Sequence, residues 1–196
     1  MFRYADVRAG PSVYAGAAVA GPGEAGAETG AEVVMSESRL LDALLEAWER
    51  NNEVLLNLLW LAGTEGLAAR AMAGSPSVAE MFSHLHHERM VSVAEEAPEF
   101  AGKMPEGEWV AESDPQAIAA LLRESGRVVR DAVAGRVAAG RELDLHFGHP
   151  ALLLPFLIFH EGYHHGQIKL ALKASGRPVG NDEAGPLTWD VWRRRW

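Results

Sequence analysis

The chain has 196 residues, no cysteine and a formal net charge of −9, and its length suits one domain with a sizeable core rather than two. The negative charge opposes binding to the phosphate backbone of nucleic acid, and the basic residues form no long stripe that would overcome it locally. The lack of cysteine excludes disulfides, thiolate metal ligands and cysteine nucleophiles, so any nucleophile must be water, a hydroxyl or a thiol from outside the chain.

Residues 1–34 are rich in glycine and alanine and show no helical or strand period, so we predict a flexible tail followed by one domain over residues 35–196. As a secretory signal this segment is poor, because Pro11 and Gly16 break its apolar part. Met35 is a better candidate for the natural start, since Ser36 supplies an N-cap just before a periodic segment. No apolar run approaches the ~20 residues needed to cross a bilayer, and we expect a soluble, cytoplasmic protein that does not bind membranes.

Two helices are predicted in the first half of the chain. Residues 36–62 carry leucine and tryptophan at spacings of three and four, with charged residues between them, which is typical of an amphipathic helix. The second helix begins after Pro76, where Ser77 stands three residues before Glu80 as a capping box, and it ends before Pro98. Glycine and proline recur in the segment that follows, so we predict a long connection without an element of its own up to residue 113.

Two further helices are predicted in the second half. Asp114 and Pro115 cap the third, because proline at the first helical position lacks an N–H that would have no partner there. The fourth helix ends near Ala174, with Gly176 just beyond it as a stop signal. Its start stays open, because Pro155 is tolerated only in a first turn or at a kink.

Four helices of about 20 residues without an alternating strand pattern predict an all-α four-helix bundle. A helix of that length spans ~30 Å, whereas the roughly 16-residue connection between the second and third helices can extend ~50 Å. That connection is long enough to return along the bundle, so these two helices can run parallel.

Residues 160–167 read His-Glu-Gly-Tyr-His-His-Gly-Gln and carry the strongest functional signal in the chain. His160 and His164 are one helical turn apart and project from the same face. The flanking positions on this face are apolar, so the imidazoles point at the bundle interior, where polar groups without partners are unfavourable. Neutral imidazole is a common ligand of divalent metals, and we predict that the two histidines bind one metal ion.

The third ligand is expected from the second helix, where residues 84–87 read His-Leu-His-His. His84 lies within an apolar stripe that faces the core and is the favoured ligand, and His87 on a neighbouring part of the same face is the reserve candidate. His146 and His149 precede the fourth helix, and we expect a loop position for the first and a loop position or helix cap for the second.

Other residues of the octet also have predicted roles. Glu161 and Gln167 are predicted to assist catalysis by orienting the metal ligands or the substrate. His165 lies one residue off the ligand face and is predicted to line the pocket or to bind a cofactor. Gly166 in mid-helix costs about 1 kcal/mol relative to alanine, so we expect it to permit the close approach of a neighbouring helix.

Residues 77–85, Ser-Val-Ala-Glu-x-x-x-His-Leu, together with the octet and the Ile168 that follows it, resemble the DinB/YfiT-like family of metal-dependent four-helix proteins. The resemblance covers about residues 36–176. It implies an up-down-down-up bundle that often dimerises, and a divalent metal, usually zinc or nickel, bound by His84, His160 and His164. Many members have arginine where this chain has His165, which leaves open whether this position binds anions. Relatives include thiol-dependent isomerases and S-transferases that use mycothiol, bacillithiol or glutathione, and others are described as metal-dependent hydrolases.

Three protein ligands leave an open position on the metal, as catalytic sites do. A metal in such a site lowers the pKa of a bound water or thiol and so provides a nucleophile near neutral pH. We therefore expect a metal-dependent thiol S-transferase or a related small-molecule enzyme that uses a low-molecular-weight thiol and acts as a homodimer.

Two alternatives stay open. Residues 160–164 also satisfy the H-E-x-x-H pattern of zinc proteases, with Glu161 as general base and Glu183 as third ligand. No strand pattern precedes this helix, however, and a protease site would leave His84 without a role. In the other alternative the metal only staples the bundle and the protein binds a ligand without turning it over, which a fourth ligand such as His87 or Glu88 would favour.

Overall fold

The computed structural model describes residues 30–195, with side chains from residue 38 onwards. Residues 1–29, which make up most of the predicted tail, lie outside the described residues. The described part is helical, which confirms the all-α class, and apart from one isolated bridge between Arg70 and Ser77 it contains no β-structure. Its α-helices are α1 (Gly30–Gly66), α2 (Val78–Glu96), α3 (Pro115–Ala138), α4 (Leu153–Ala174), α5 (Asn181–Ala184) and α6 (Trp189–Arg193). Short 3-10 helices span Pro98–Phe100 and Pro150–Leu152.

The first helix is longer at its start than the periodicity predicts. It begins at Gly30 rather than near Ser36, because residues 31–34 read Ala-Glu-Val-Val and contain no proline or glycine that would stop a helix. Near its other end the backbone leaves the helical region at Gly63, with φ 60° and ψ 175°, a conformation that favours glycine. The predicted end at residue 62 therefore coincides with this break.

The predicted caps of α2 and α3 are confirmed. The Ser77 hydroxyl accepts a hydrogen bond from the Glu80 amide at 3.2 Å, and the Ser77 amide donates to the Glu80 carboxylate at 2.6 Å, which completes the capping box. At the start of α3 the Asp114 carboxylate accepts from the Gln116 amide at 2.9 Å, with Pro115 in the first helical position. These bonds satisfy amides that the first turn of a helix leaves without partners.

Both ends of α4 follow local rules as well. Pro155 is the third residue of the helix, where its missing N–H breaks no bond within the helix. The His149 ring accepts from the Ala151 amide at 3.2 Å and so caps the 3-10 turn that leads into α4. Beyond Ala174, Gly176 has φ 78° and its amide donates to the Lys173 carbonyl at 3.1 Å, which ends the helix.

The core consists of two apolar clusters, and all four long helices contribute to each of them. Burying such side chains supplies most of the stabilising free energy of a helical fold. One cluster combines the following helical residues: Leu55, Leu58, Leu59 and Ala62 of α1, Val78 to Leu85 of α2, Ile118 to Leu122 of α3, and Ile168 to Leu172 of α4. The other combines Leu45 and Trp48, Met90 and Val93, Val128 to Val133, and Leu153 to Leu157. No helix within residues 30–195 combines the length and the apolar character that a membrane span requires.

A buried polar network lies at the helix positions between these two clusters. Its centre is Arg89 of α2, which has no exposed surface. The Arg89 guanidinium donates to both carboxylate oxygens of Glu161 in α4, at 2.5 and 3.0 Å, and to Asn52 of α1 at 2.8 Å. It also donates to the Leu122 carbonyl of α3 at 2.9 Å. The network thereby links the four long helices and sets the rotation of α4 about its axis.

Candidate metal centre

Three imidazoles from two helices meet at one point. His160 and His164 come from successive turns of α4, and His84 comes from α2. The Nε2 atom of His160 lies 3.2 Å from Nε2 of His84 and 3.2 Å from Nε2 of His164. One ring nitrogen from each of the three residues lies within 4.8 Å of the others. The histidines that the sequence singles out as ligands therefore lie together in the fold.

The geometry of this group suits a divalent metal ion. Metal–nitrogen bonds of about 2.0–2.1 Å in a tetrahedral site place neighbouring nitrogens about 3.3 Å apart. The two separations of 3.2 Å match that spacing. Within residues 38–195 the group has three members and no fourth protein ligand. These three residues can hold an ion that keeps a position open.

The protonation state of the rings also suits metal binding. Burial lowers the pKa of His84, His160 and His164 to about 4, because desolvation penalises the charged imidazolium. The neighbouring histidines contribute to this lowering, since charge on one ring disfavours charge on the next. At neutral pH the rings are therefore neutral, which is the form that binds metals.

The connection between α2 and α3 supplies two side chains that the sequence analysis missed. The Glu108 Oε1 atom lies 3.0 Å from Nδ1 of His84. The Trp109 ring stacks on the same imidazole, with ring centroids 4.2 Å apart and planes inclined by 5°. With Nδ1 held by a carboxylate, Nε2 of His84 is the nitrogen left for the metal. An irregular segment has no periodicity that shows where a side chain points, so the sequence does not place Glu108 and Trp109 at the site. The one available signal for such a contact is a tryptophan in an otherwise polar connection.

Glu161 does not occupy the assisting position predicted for it. Its side chain is 1% exposed, both carboxylate oxygens bind Arg89, and Asn51 donates to one of them. No hydrogen bond among the described residues joins it to the three histidines. The reason is that consecutive helical residues point about 100° apart, so Glu161 faces the buried Arg89 while His160 faces His84. We correct its role to that of an internal ion pair that orients α4.

Gln167 lies on the ligand side of α4, as the sequence predicts. His165 and Gly166 do not have the surroundings predicted for them. The Gln167 side chain lines the cavity beside His164, and its proximity to that ring partly offsets the lowering of the pKa by burial. His165 is absent from the described lining, because it is turned away from His164 on the helix. Gly166 is exposed and a Cβ there would meet nothing within 4 Å, so the prediction that a helix of this chain approaches it is wrong.

A cavity of about 1100 Å³ opens over the three histidines. Four aromatic side chains line it, Trp109, Phe156, Phe159 and Tyr163, together with aliphatic and polar residues. This volume accommodates a small organic molecule in contact with the imidazoles. The shape and lining are those of a binding site rather than of a closed structural metal site.

The extra metal ligands that the two alternatives require, a protease and a purely structural metal site, do not join the three histidines. Glu183, the third ligand of the protease alternative, is exposed in the short helix α5, and His84 occupies the third place instead. His87 and Glu88 line the cavity, but neither belongs to the group of converging ligand atoms. His146 is exposed and its ring contacts Glu96, in keeping with a loop position.

Fold and site together define an all-helical protein with a buried three-histidine group at the base of an aromatic cavity. Comparison with models of protein families, with curated proteins and with solved structures finds no match to this chain. The function is therefore argued from the chemistry of the site itself.

Proposed function

We propose that this protein is a metal-dependent thiol S-transferase of the DinB/YfiT-like family, with zinc or nickel held by His84, His160 and His164. One observation carries the proposal: three neutral imidazoles converge at the base of a cavity, with no fourth protein ligand among the described residues. When bound there, a divalent ion lowers the pKa of an external thiol. The thiol must come from outside because the chain has no cysteine.

The surrounding residues have distinct roles in this proposal. Glu108 and Trp109 hold the ring of His84, and Gln167 lies beside His164. The aromatic walls bind the apolar part of an electrophilic substrate and exclude water. In the transfer the thiol sulfur bonds to an electrophilic carbon, the leaving group departs with the bonding electrons, and the thiol proton passes to solvent.

Elemental analysis beside an activity measurement tests the proposal. We expect one divalent ion per chain in the wild type and loss of that ion in His84→Ala and His160→Ala. His87→Ala is the matched control for metal content, because His87 lines the cavity without joining the ligand group. Retention of the metal by His84→Ala would contradict the site, and with it the three-histidine assignment.

Activity is measured as consumption of low-molecular-weight thiols by the metal-loaded protein across a panel of electrophiles. We expect consumption by the wild type and none by His160→Ala. If the loaded wild type consumes no thiol with any electrophile, the transferase proposal fails, and a metal that only staples α2 to α4 explains the site. Hydrolysis of peptides that depends on Glu161 would instead favour the protease alternative.

We also propose that the four long helices run up-down-down-up. The two core clusters support this order, because each unites particular parts of the four helices. The end of α1 and of α4 share one cluster with the start of α2 and of α3, and the remaining parts share the other. Such pairing is expected when α2 and α3 run opposite to α1 and α4.

Homodimer formation through α4 is the last part of the proposal. The exposed face of α4 carries an apolar seam at alternating spacings of four and three: Leu152, Phe156, Phe159, Tyr163, Gly166 and Leu170. Four of these residues, Phe156, Phe159, Tyr163 and Leu170, also line the cavity, so the proposed interface adjoins the cavity opening. Phe159 is 78% exposed, which is unusual for a large apolar side chain. A seam with this spacing is typical of helix pairing, and the small Gly166 permits close approach of a second copy.

A further inference from the structure

The charge of the cavity lining limits the kind of ligand that binds over the histidines. Its charged side chains, histidines aside, are Glu88 and Glu108, and none of the described lining residues is lysine or arginine. A ligand carboxylate or phosphate normally binds to arginine, lysine or a helix N-terminus. The described cavity lining therefore offers no arginine or lysine to an anionic ligand.

Glu88 is the carboxylate available to a ligand. It lies one helical turn after His84 on α2, is partly buried, and forms no ion pair among the described residues. Burial raises the pKa of Glu88, His87 opposes this, and the nearby Glu108 and Glu95 raise the pKa as well. A carboxylate that is partly desolvated without a positive partner is stabilised when a ligand supplies one. Glu108, by contrast, is engaged by the ring of His84.

The rest of the lining agrees with this charge preference. Aromatic ring faces attract cations, and Trp109, Phe156, Phe159 and Tyr163 line the same cavity. A divalent ion, the carboxylates of Glu88 and Glu108 and one thiolate together leave a single net negative charge. A ligand ammonium group neutralises this charge, whereas a ligand carboxylate doubles it.

We propose that the thiol taken up by this cavity carries a positively charged amine and no carboxylate or phosphate, with Glu88 as the group that recognises the amine. The inference deepens the proposed function and rests on it for the thiol. It excludes acidic thiols as preferred ligands and makes Glu88 a residue that determines specificity.

Binding of three small thiols of different charge tests the proposal. Cysteamine, 2-mercaptoethanol and 3-mercaptopropionate are titrated into protein loaded with Co²⁺, and thiolate coordination is followed by absorption. We expect Glu88→Gln to reduce the preference for cysteamine over 3-mercaptopropionate by about tenfold, because the ratio within one protein cancels differences in thiol basicity. Glu183→Gln is the matched control, since it removes the same charge at an exposed position outside the described cavity lining.

Charge reversal provides a second variant. Glu88→Lys should invert the order, so that 3-mercaptopropionate becomes the preferred thiol. An equal cysteamine preference in wild type, Glu88→Gln and Glu88→Lys overturns the inference while leaving thiol binding intact.

A separate probe distinguishes failure of the inference from failure of the proposed function. Histamine and imidazole-4-acetate bind Co²⁺ through an imidazole nitrogen and need no thiol chemistry. If no thiol binds but Glu88→Gln lowers the preference for histamine, the transferase proposal fails and the amine preference stands. If Glu88→Gln leaves the preference among these imidazoles unchanged as well, the amine preference fails too.

Discussion

Trp109 stacks on the imidazole of His84 with their planes nearly parallel, although the tryptophan belongs to an irregular connection and the histidine to a helix. Beside it, Glu108 contacts Nδ1 of the same ring. The second contact determines which nitrogen of His84 faces the other histidines, since a carboxylate partner favours a proton on Nδ1.

Glu108→Gln should therefore weaken metal binding without removing a ligand. We expect the dissociation constant for Zn²⁺ to rise about tenfold, because groups that hold ligating histidines typically contribute a factor of 10–100. Competition with a chromophoric chelator measures it. Glu106→Gln is the control, as that side chain is 90% exposed and pairs with Lys103. Equal affinity in both variants would show that Glu108 does not orient the ring.

Glu161→Gln should lower stability rather than chemistry. The substitution leaves the fully buried Arg89 without its countercharge, and we expect the free energy of unfolding to fall by about 3–5 kcal/mol. Urea denaturation measures the loss. The double variant Arg89→Met with Glu161→Leu removes both charges and should recover much of the stability. A Glu161→Gln protein as stable as the wild type but unable to turn over substrate would restore the catalytic role that the geometry argues against.

The metal-free protein should lose stability as the pH falls from about 7 to about 5. The three site histidines have folded pKa values of about 4, against 6.5 as their ordinary value. Between these pH values the unfolded chain binds more protons than the folded chain, so lowering the pH favours unfolding. Urea midpoints at several pH values measure the slope. Replacing His160 and His164 by glutamine should flatten it, and an unchanged slope in that variant would contradict the assignment.

Gly166→Lys tests the proposed dimer without disturbing the single chain. A Cβ at this position meets nothing within 4 Å, and lysine favours a helix more than glycine does, so the monomer should remain folded. We expect a dimer of the wild type to dissociate in the variant, as measured by sedimentation velocity. Gly148→Lys, also in open space but in a turn outside α4, is the control and should leave the mass unchanged.

Local rules predicted most helix ends in this chain. The Ser77 capping box, the Asp114 cap and the stop at Gly176 each depend on a few neighbouring residues, and the structure has all three. The start of α1 lies earlier than the periodicity predicts, because the helix extends into a segment that is rich in glycine and alanine. The predicted role of Glu161 is wrong because its actual role depends on Arg89, which is 72 positions away and has no distinguishing pattern in the sequence.

The sequence by itself determined the helical class, and the four-residue spacing of His160 and His164 placed two imidazoles on one helical face. It also indicated His84, because apolar periodicity shows which side of a helix faces the core. Only the tertiary structure decided the rest: that Glu108 and Trp109 reach His84, that Glu161 pairs with Arg89, and that His165 turns away from the cavity. Helical period relates residues within one or two turns, whereas these relationships depend on how helices rotate and pack against one another and on where an irregular connection folds.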